Sequence, residues 1–505
     1  MDSFIFVWSM SSFIEKRVKE PIRYEELEKA MGFSYRRIRE VFKACTNRTL
    51  ARYILSRRIG NAAFEVAHTR RSLTEIAGEY GFESYDVFTR AFKRETGFTP
   101  KAFRGQGLSV GRGKLAAGIF APILTKENGP LLPALQEEQT MNHTTKAAES
   151  CILYGVPKVE YSAGECTPFP ACLKACLNYM GQIIDYSYVM AASGASFRLR
   201  WNTQMWDGGN VDIQCIYPSP LEAFGRTFKA AGRSVRYLAR EESDKEGFIA
   251  FIRQEIDSGR PLIAQGVIGP PEACIITGYT DGSQTLVGWN FFQDNPEFAK
   301  DVALHETGYF MTKGWWENKS TLLLMAIGEE QGSLPTSKEI LQNAVDVLSR
   351  EQIVIPNRYG SETHTYAGGP AAYDAWAARI SDDTEFPKDA ILPILYERMV
   401  CQTDAQDMVG EGRSYAACYL GWVGQQYPAV AKQCGEAARL FKNAAQCTFE
   451  MNAVRGGFEQ NEYTIRRFAT PEVRHELALL IRKAKRCDEE ACALLKEICA
   501  EIEGS

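Results

Sequence analysis

The chain has 505 residues, 45% of them hydrophobic and 24% charged, which is the composition of an ordinary globular protein and predicts several domains. No uninterrupted apolar run reaches the ~18 residues that a transmembrane helix needs, so we expect no membrane partner and a cytoplasmic location. The net charge of −5 is unevenly divided: residues 1–114 carry 22 Lys and Arg against 13 Asp and Glu, and the remainder is acidic. A basic first fifth on an acidic body is typical of a nucleic-acid-binding module fused to another function.

Targeting and redox signals are weak. The apolar start, Met1–Met10, has an acidic second residue where a secretion signal would be basic, so we interpret it as the first helix of a domain. The 14 cysteines form no CxxC pair and have no companion histidines at ligand spacing. This pattern favours reduced thiols, and it predicts neither a metal site nor a bound cofactor.

A first helix-turn-helix is predicted from an apolar pair, a glycine and a capping serine. Leu27 and Ala30 are expected to face inward from a short helix. Gly32 can turn the chain without steric cost, and Ser34 is a suitable N-cap for a second helix over residues 35–43.

A second copy follows, with its turn glycine 49 residues after the first. Three residues at helical spacing make the apolar face of its first helix: Ile76, Ala77 and Tyr80. Gly81 turns the chain, Ser84 caps the next helix, and Phe88 and Phe92 point from that helix to the core. Leu50–Ala67 is long enough to form a helix that connects the two copies.

The stretch IAGEYGFESYDVFTRAFKRETGFTPKAFR resembles the signature of the AraC/XylS family of transcription regulators. The resemblance covers about residues 1–105 and implies an all-α double helix-turn-helix domain that binds double-stranded promoter DNA, with RNA polymerase as a further partner. It implies that helices 34–43 and 84–93 enter the major groove. The DNA-contacting residues are then Tyr35, Arg36, Arg37, Arg39, Glu40 and Lys43 in the first helix and Tyr85, Asp86, Thr89, Arg90 and Lys93 in the second. The alternative for each of them is an exposed side chain that touches only solvent or phosphate.

Residues 106–148 are predicted to be a linker, followed by an α+β domain over 149–333. Cys172–Met180 has a helical pattern. Leu262–Ile268, Cys274–Tyr279 and Gln284–Asn290 are short apolar runs typical of strands, and a TDGS hairpin turn separates the last two.

This α+β region resembles the papain-like fold of bacteriocin-processing peptidases and of the butirosin biosynthesis protein H family. The matching residues are Cys166 ahead of a helix, a GYTDG hairpin and Asn290 after the next strand. The position where the family has histidine is Glu272, and a carboxylate cannot activate a thiol as an imidazole does. The resemblance therefore implies a catalytically inactive fold and a protein that is not an enzyme.

A papain-like cleft without chemistry can still bind a ligand. We expect a small-molecule effector, cationic or amphipathic, because aromatic faces with a carboxylate suit such a compound. The ligand-binding residues expected around that cleft are Cys166, Trp201, Trp206, Tyr217, Glu272, Trp289 and Asn290. Two alternatives remain open: an active cysteine-dependent acyltransferase or hydrolase, and a body that acts as a protein-interaction domain.

Residues 334–505 are predicted to form a mostly helical C-terminal domain. The first of its apolar stripes consists of Ile340, Ala344, Val347 and Leu348. Further stripes fall at 375–380, 415–420 and 477–481. Thr365–Pro370, a Gly-rich segment, is interpreted as a loop that leads into a helix.

Overall fold

The structure, a computed structural model, describes most of the chain. The described residues are 10, 13–14, 17–31, 33–46, 49–96, 99–105, 143–147, 149–161, 164–207, 213–295, 297–305, 307–356, 363–388, 390–457 and 460–502. The helix predicted at Met1–Met10 (apart from Met10), the turn at Gly32 and most of the predicted linker lie outside them. Among the described helices, none is both long enough and apolar enough to cross a bilayer.

The described N-terminal part is entirely helical. Its helices are α1 (Tyr24–Met31), α2 (Tyr35–Thr46), α3 (Leu50–His68), α4 (Leu73–Glu79), α5 (Tyr85–Thr96) and α6 (Pro100–Gly105). The order α1–α2 and then α4–α5, with α3 between, confirms two helix-turn-helix units joined by a connecting helix.

The first unit has its own small core. Leu27 and Met31 of α1 pack with Ile38 and Phe42 of α2. The prediction that Ala30 faces inward is wrong, because Ala30 is exposed. Residues four apart lie above one another on a helix, so Met31 shares the face of Leu27 and supplies a larger apolar side chain.

The second unit packs as predicted. Its core contains Ile76, Ala77, Tyr80, Phe88 and Phe92, all buried. Between α4 and α5, Gly81 has φ +76°, a left-handed conformation that favours glycine at this turn. Helix α3 contributes Leu50 and Tyr53 to the first core, and Ile59 and Ala62 to the second. One continuous helix therefore fixes the two units relative to each other.

In the body, nine strands of the described residues form one antiparallel sheet. They are β1 (His143–Ala147), β2 (Ser150–Tyr154), β4 (Arg233–Ala239), β5 (Leu262–Gln265), β6 (Ala273–Thr280), β7 (Thr285–Trp289), β8 (Val302–Leu304), β9 (Phe310–Thr312) and β10 (Leu323–Glu330). The order is β4-β10-β5-β6-β7-β9-β8, and β2, paired with β1, lies beside the end of β6. A second sheet joins β11 (Gln352–Pro356), β12 (Thr363–Gly368) and β3 (Arg200–Asn202).

Helices cover these sheets and form the C-terminal part. They are α7 (Pro168–Tyr179), α8 (Tyr186–Ala192), α9 (Pro220–Ala230), α10 (Lys245–Asp257), α11 (Ser337–Ser349), α12 (Gly369–Ser381), α13 (Leu392–Gln426), α14 (Ala431–Val454), α15 (Glu462–Phe468) and α16 (Pro471–Ile502). An α+β region followed by a helical region agrees with the predicted order of fold classes. The papain-like assignment remains a prediction.

The core of the body runs across the predicted boundary between residues 333 and 334. One cluster of buried side chains extends from Cys151 on β2 to Cys499 on α16. Strand β3, on one side of that boundary, pairs with β12 on the other, with Tyr366 opposite Asn202. The two predicted parts of the body therefore share packing and backbone hydrogen bonds.

Two local predictions differ from the structure. The strand expected over Leu262–Ile268 ends at Gln265, because Gly266 and Val267 both have positive φ and turn the chain. Within Thr365–Pro370, the residues to Gly368 are strand and not loop, since β12 finds hydrogen-bonding partners in β11 and β3. Helix α12 begins directly after that strand, at Gly369.

Candidate DNA interface and ligand sites

Helix α2 presents a charged face. Ser34 caps it, with the Arg37 backbone N–H donating to Oγ at 3.4 Å. Five residues predicted to contact DNA are exposed on this helix: Arg36, Arg37, Arg39, Glu40 and Lys43. Four of these five are basic, which suits a surface that meets phosphates and guanine edges.

Contacts within the first unit restrain part of that face. The Arg36 guanidinium lies 3.0 Å from a carboxylate oxygen of Glu40, one turn along the helix. Tyr35 is half-buried, stacks on Tyr24 with ring centroids 4.1 Å apart, and has the Arg39 guanidinium 5.7 Å from its ring. Glu40 thus offsets the charge of Arg36, while the ring of Tyr35 limits the conformations of Arg39.

Helix α5 is the equivalent element of the second unit. The Val87 backbone N–H donates to the Ser84 hydroxyl at 3.3 Å, which confirms the predicted cap. Asp86, Arg90 and Lys93 are exposed, and Tyr85 and Thr89 are half-buried against the core. The structure therefore places all five predicted residues of α5 on one helix, with the charged ones toward solvent.

A buried carboxylate on α3 ties the second unit to its surroundings. Glu65 accepts hydrogen bonds from Lys19 Nζ at 2.9 Å, Arg71 at 2.6 Å and the Tyr80 hydroxyl at 2.9 Å. Burial alone would raise the pKa of Glu65, but the bonds from Lys19 and Tyr80 outweigh it and hold that pKa below its usual range. Sequence reasoning missed Glu65, because Lys19 and Tyr80 lie 46 and 15 residues from it in the chain and no local pattern joins the three residues.

Cys166 lies two residues before α7, which begins at Pro168, four residues earlier than the helix predicted over Cys172–Met180, because proline is suited to the first turn of a helix. Its backbone N–H donates to Glu411 of α13 at 2.6 Å, and the N–H of Thr167 donates to the same oxygen at 3.2 Å. The hydroxyls of Tyr186 and Thr167 also donate to that carboxylate, at 2.9 and 2.8 Å. The N–H groups at this helix start, which could otherwise bind an anion, are thus bonded to a carboxylate of the protein itself.

The other residues expected around the cleft are largely engaged with the protein. Glu272 is buried and accepts a hydrogen bond from Tyr161 at 2.5 Å, and the Cys166 thiol donates to the carbonyl of Tyr161 at 3.3 Å. Asn290 donates to the Gly266 carbonyl at 3.0 Å, beside the start of β6. Tyr161 thus links Cys166 with Glu272.

The predicted aromatic walls lie in different places. Trp289 is buried and donates to the Val156 carbonyl at 2.9 Å. Tyr217 is part of the core on the sheet side, and its hydroxyl donates to the Ser193 carbonyl at 3.1 Å. Trp201 and Trp206 belong instead to a cluster with helices α12–α16, and their ring centroids are 5.6 Å apart.

Trp201 and Trp206 line a pocket that sequence reasoning did not define. Strands β3 and β12, the segment after β3, and helix α13 form its walls. Asp207 and Asp404 supply carboxylates to it, and Tyr366 of β12 contributes a ring. No local sequence pattern marks these residues, because the elements that carry them meet only in the folded chain.

Comparison with known proteins matches the N-terminal part of the chain. The model of a helix-turn-helix domain family matches residues 27–106. The regulatory protein SoxS of Salmonella typhimurium is 31% identical over 98 residues, which are 19% of this chain and 92% of SoxS. The transcriptional regulator Rob of the same organism is 29% identical over 143 residues, which are 27% of this chain and 50% of Rob.

Two solved structures each match 21% of the chain. The structure of an AraC-type transcriptional regulator from Chromobacterium violaceum is 23% identical to this chain, with a TM-score of 0.20. The match covers 21% of this chain and 96% of that structure's chain. The DNA-binding domain of AdpA in complex with a target DNA is 23% identical with a TM-score of 0.19. The match to SoxS over nearly its whole length, together with the paired helix-turn-helix units, shows that this chain belongs to the AraC/XylS family of DNA-binding transcription regulators.

Proposed function

We propose that this protein is a single-chain switch, in which residues 1–105 read promoter DNA and the body senses a small molecule. The observation that supports this most directly is the pair of solvent-facing helices α2 and α5 on one connecting helix, α3. Two such helices on one chain fit successive major-groove segments about one helical turn, ~34 Å, apart. One molecule then reads an asymmetric site, and RNA polymerase is the partner through which binding alters transcription.

A binding-site selection tests the DNA half of the proposal. The full chain is incubated with a random duplex library, and the selected site is footprinted at several salt concentrations. We expect two protected major-groove segments in one asymmetric site and an affinity that falls steeply as salt rises, because Lys and Arg contacts to phosphate release counterions. Protection of a single segment would contradict the use of both helices.

For the body, we propose a sensor in the papain-like region without thiol chemistry. Two observations support this over the acyltransferase or hydrolase alternative. Glu272 stands where the resembling families have histidine, and the N–H groups of Cys166 and Thr167 are bonded to Glu411. A backbone N–H already bonded to a carboxylate cannot stabilise a developing oxyanion.

Alkylation tests this part. We expect Cys166 to react slowly with iodoacetamide at neutral pH, measured by mass spectrometry of its peptide, and Cys166→Ala to leave DNA binding and the effector response unchanged. Cys487, a half-buried thiol on α16, serves as the internal reference in the same digest. Stoichiometric labelling of Cys166 at pH 6, or an acyl group trapped on it, would favour the enzyme alternative.

A further inference from the structure

A short segment ahead of α1, Arg17–Glu20, crosses from the first helix-turn-helix unit to the second. Before it, Ile14 is buried in the core of the first unit, and after it Ile22 packs against that same core. Between them, Val18 packs against the core of the second unit instead. This segment, which we call the strap, is therefore a connection between the two units in addition to helix α3.

Arg58 of α3 holds the strap by its backbone. The Arg58 guanidinium donates to the carbonyl of Val18 at 3.2 Å and to that of Glu20 at 2.8 Å. The same guanidinium lies beside Gly81, where an added Cβ would come within 3.2 Å of its Nη1. Because the donor is charged, these hydrogen bonds are stronger than neutral ones. Arg58 thus joins the strap to the turn that precedes α5.

Lys19 holds the strap by its side chain. Its ammonium group lies 2.9 Å from the carboxylate of Glu65 on α3 and 2.5 Å from that of Glu79 at the end of α4. Arg71 pairs with both carboxylates as well, so neither loses all of its counter-charge when Lys19 is removed. A partly buried ion pair is screened by salt less than an exposed one, so the attachment persists at physiological ionic strength.

We propose that Lys19 and Arg58 are positioning residues, which set the angle between α2 and α5 and thereby the spacing of the two DNA segments that one molecule reads. The described buried residues of the two units form separate cores. Joined by α3 alone, the first unit is free to tilt about that helix, and the strap, attached to α4 as well, removes this freedom.

The consequence for DNA is a preference for one spacing, and it rests on the proposed reading of two major-groove segments. Each base pair added between the segments moves one of them by ~3.4 Å along the DNA axis and rotates it by ~34° about that axis. Two recognition helices held at a fixed angle match only one such arrangement, whereas two helices free to tilt match several.

A spacing series tests the proposal. The selected site is rebuilt as five duplexes, in which the distance between the protected segments is unchanged or is altered by one or two base pairs in either direction. The full chain and its Lys19→Met and Arg58→Met variants are titrated into each duplex by fluorescence anisotropy. We expect the wild-type chain to prefer the selected spacing, and we expect that preference to fall by about threefold or more in each variant.

The ratio of affinities separates positioning from folding. A partly unfolded variant binds every duplex more weakly by the same factor, because only its folded fraction is competent, so its preference among spacings does not change. Lys19→Arg keeps the charge and should keep the wild-type preference. Lys29→Met is the matched control, since Lys29 is exposed on α1, outside the strap, and loses the same charge.

The outcomes distinguish this inference from the proposed function. If the wild-type chain protects two segments but binds all five duplexes equally, or if both strap variants keep its spacing preference, the inference fails and the proposed function stands. An equal loss of preference in Lys29→Met would attribute the effect to net charge and also overturn the inference. Protection of a single segment by the wild-type chain overturns both. A loss of preference in Lys19→Met and Arg58→Met that Lys19→Arg and Lys29→Met do not share supports both.

Discussion

Removing the Glu411 carboxylate tests how the helical part of the body holds the thiol-bearing turn. Glu411 is 6% exposed and accepts hydrogen bonds from two backbone N–H groups and two hydroxyls. In Glu411→Ala the N–H group of Cys166 loses its acceptor, and that of Thr167 keeps only the Tyr186 hydroxyl, 3.1 Å away. The Thr167 and Tyr186 hydroxyls also lose the carboxylate to which they donate, and each buried donor left unsatisfied costs about 1–3 kcal/mol. With the loss of the side-chain packing added, we expect a decrease in unfolding free energy of about 3–5 kcal/mol.

Glu411→Gln separates the lost acceptor from the lost charge. The amide oxygen can still accept from the two backbone N–H groups, while the new NH₂ group faces the Thr167 hydroxyl, which also accepts from Arg198 at 3.1 Å. We expect a loss of about 1–2 kcal/mol, smaller than for alanine, because one acceptor remains. The ranking of the two variants is therefore part of the prediction.

Urea unfolding followed by tryptophan fluorescence measures both variants, since seven of the eight tryptophans lie in the body. Hydrogen exchange of the peptide containing Cys166 and Thr167 supplies the local readout, and its protection should fall in Glu411→Ala. Glu436→Ala is the matched control: Glu436 is exposed, pairs with Arg439 on the same helix, and should change stability by less than about 0.5 kcal/mol. A loss below about 1 kcal/mol in Glu411→Ala with unchanged exchange would refute this account.

Three further predictions concern the exposed Arg90 of α5, the buried ion pair between Arg413 of α13 and Asp488 of α16, and the carboxylate of Glu65. Arg90→Ala should weaken binding to the selected duplex by about 1–3 kcal/mol and relax preference at one base position; a uniform loss across sequences would indicate a phosphate contact instead. Asp488→Ala should lower the free energy of unfolding in urea by about 3–5 kcal/mol. The Arg413 guanidinium is fully buried and lies 2.6 Å from the Asp488 carboxylate in the wild-type chain, so the variant leaves a buried charge without its counter-charge. A decrease under about 1 kcal/mol would refute this. Since the folded-state pKa of Glu65 lies below its usual value of 4.5, its contribution to stability is present above that pH and is lost as pH falls through the folded-state pKa. In Glu65→Gln, the helix content followed by circular dichroism should therefore depend less on pH in the acid range than in the wild-type chain. An unchanged pH profile would show that other groups cause the acid-induced loss of helix.

The sequence by itself determined the DNA-binding half. Helical spacing of apolar residues, a glycine at each turn and serine caps are local signals, so they located both helix-turn-helix units and the exposed faces of α2 and α5. The same local logic located α7, the hairpin of β6 and β7, and the apolar stripe of α11. It failed at Ala30, because Met31 lies on the same helix face as Leu27 and buries a larger apolar side chain there. It also failed at residues 365–368, where backbone pairing with β3 and β11 outweighed the glycine content.

Only the tertiary structure decided the chemistry of the body. Glu411 meets Cys166 across 245 residues, and Asp404 joins the pocket from a helix distant in sequence from Trp201 and Asp207. The sequence grouped seven ligand residues in one cleft, whereas Tyr217 lies in the core and Trp201 lines a different pocket. A charged or aromatic side chain has no periodic pattern that reveals its partner. Which buried groups satisfy each other depends on how sheets and helices pack, because a buried polar group takes whichever partner the fold brings within hydrogen-bonding distance.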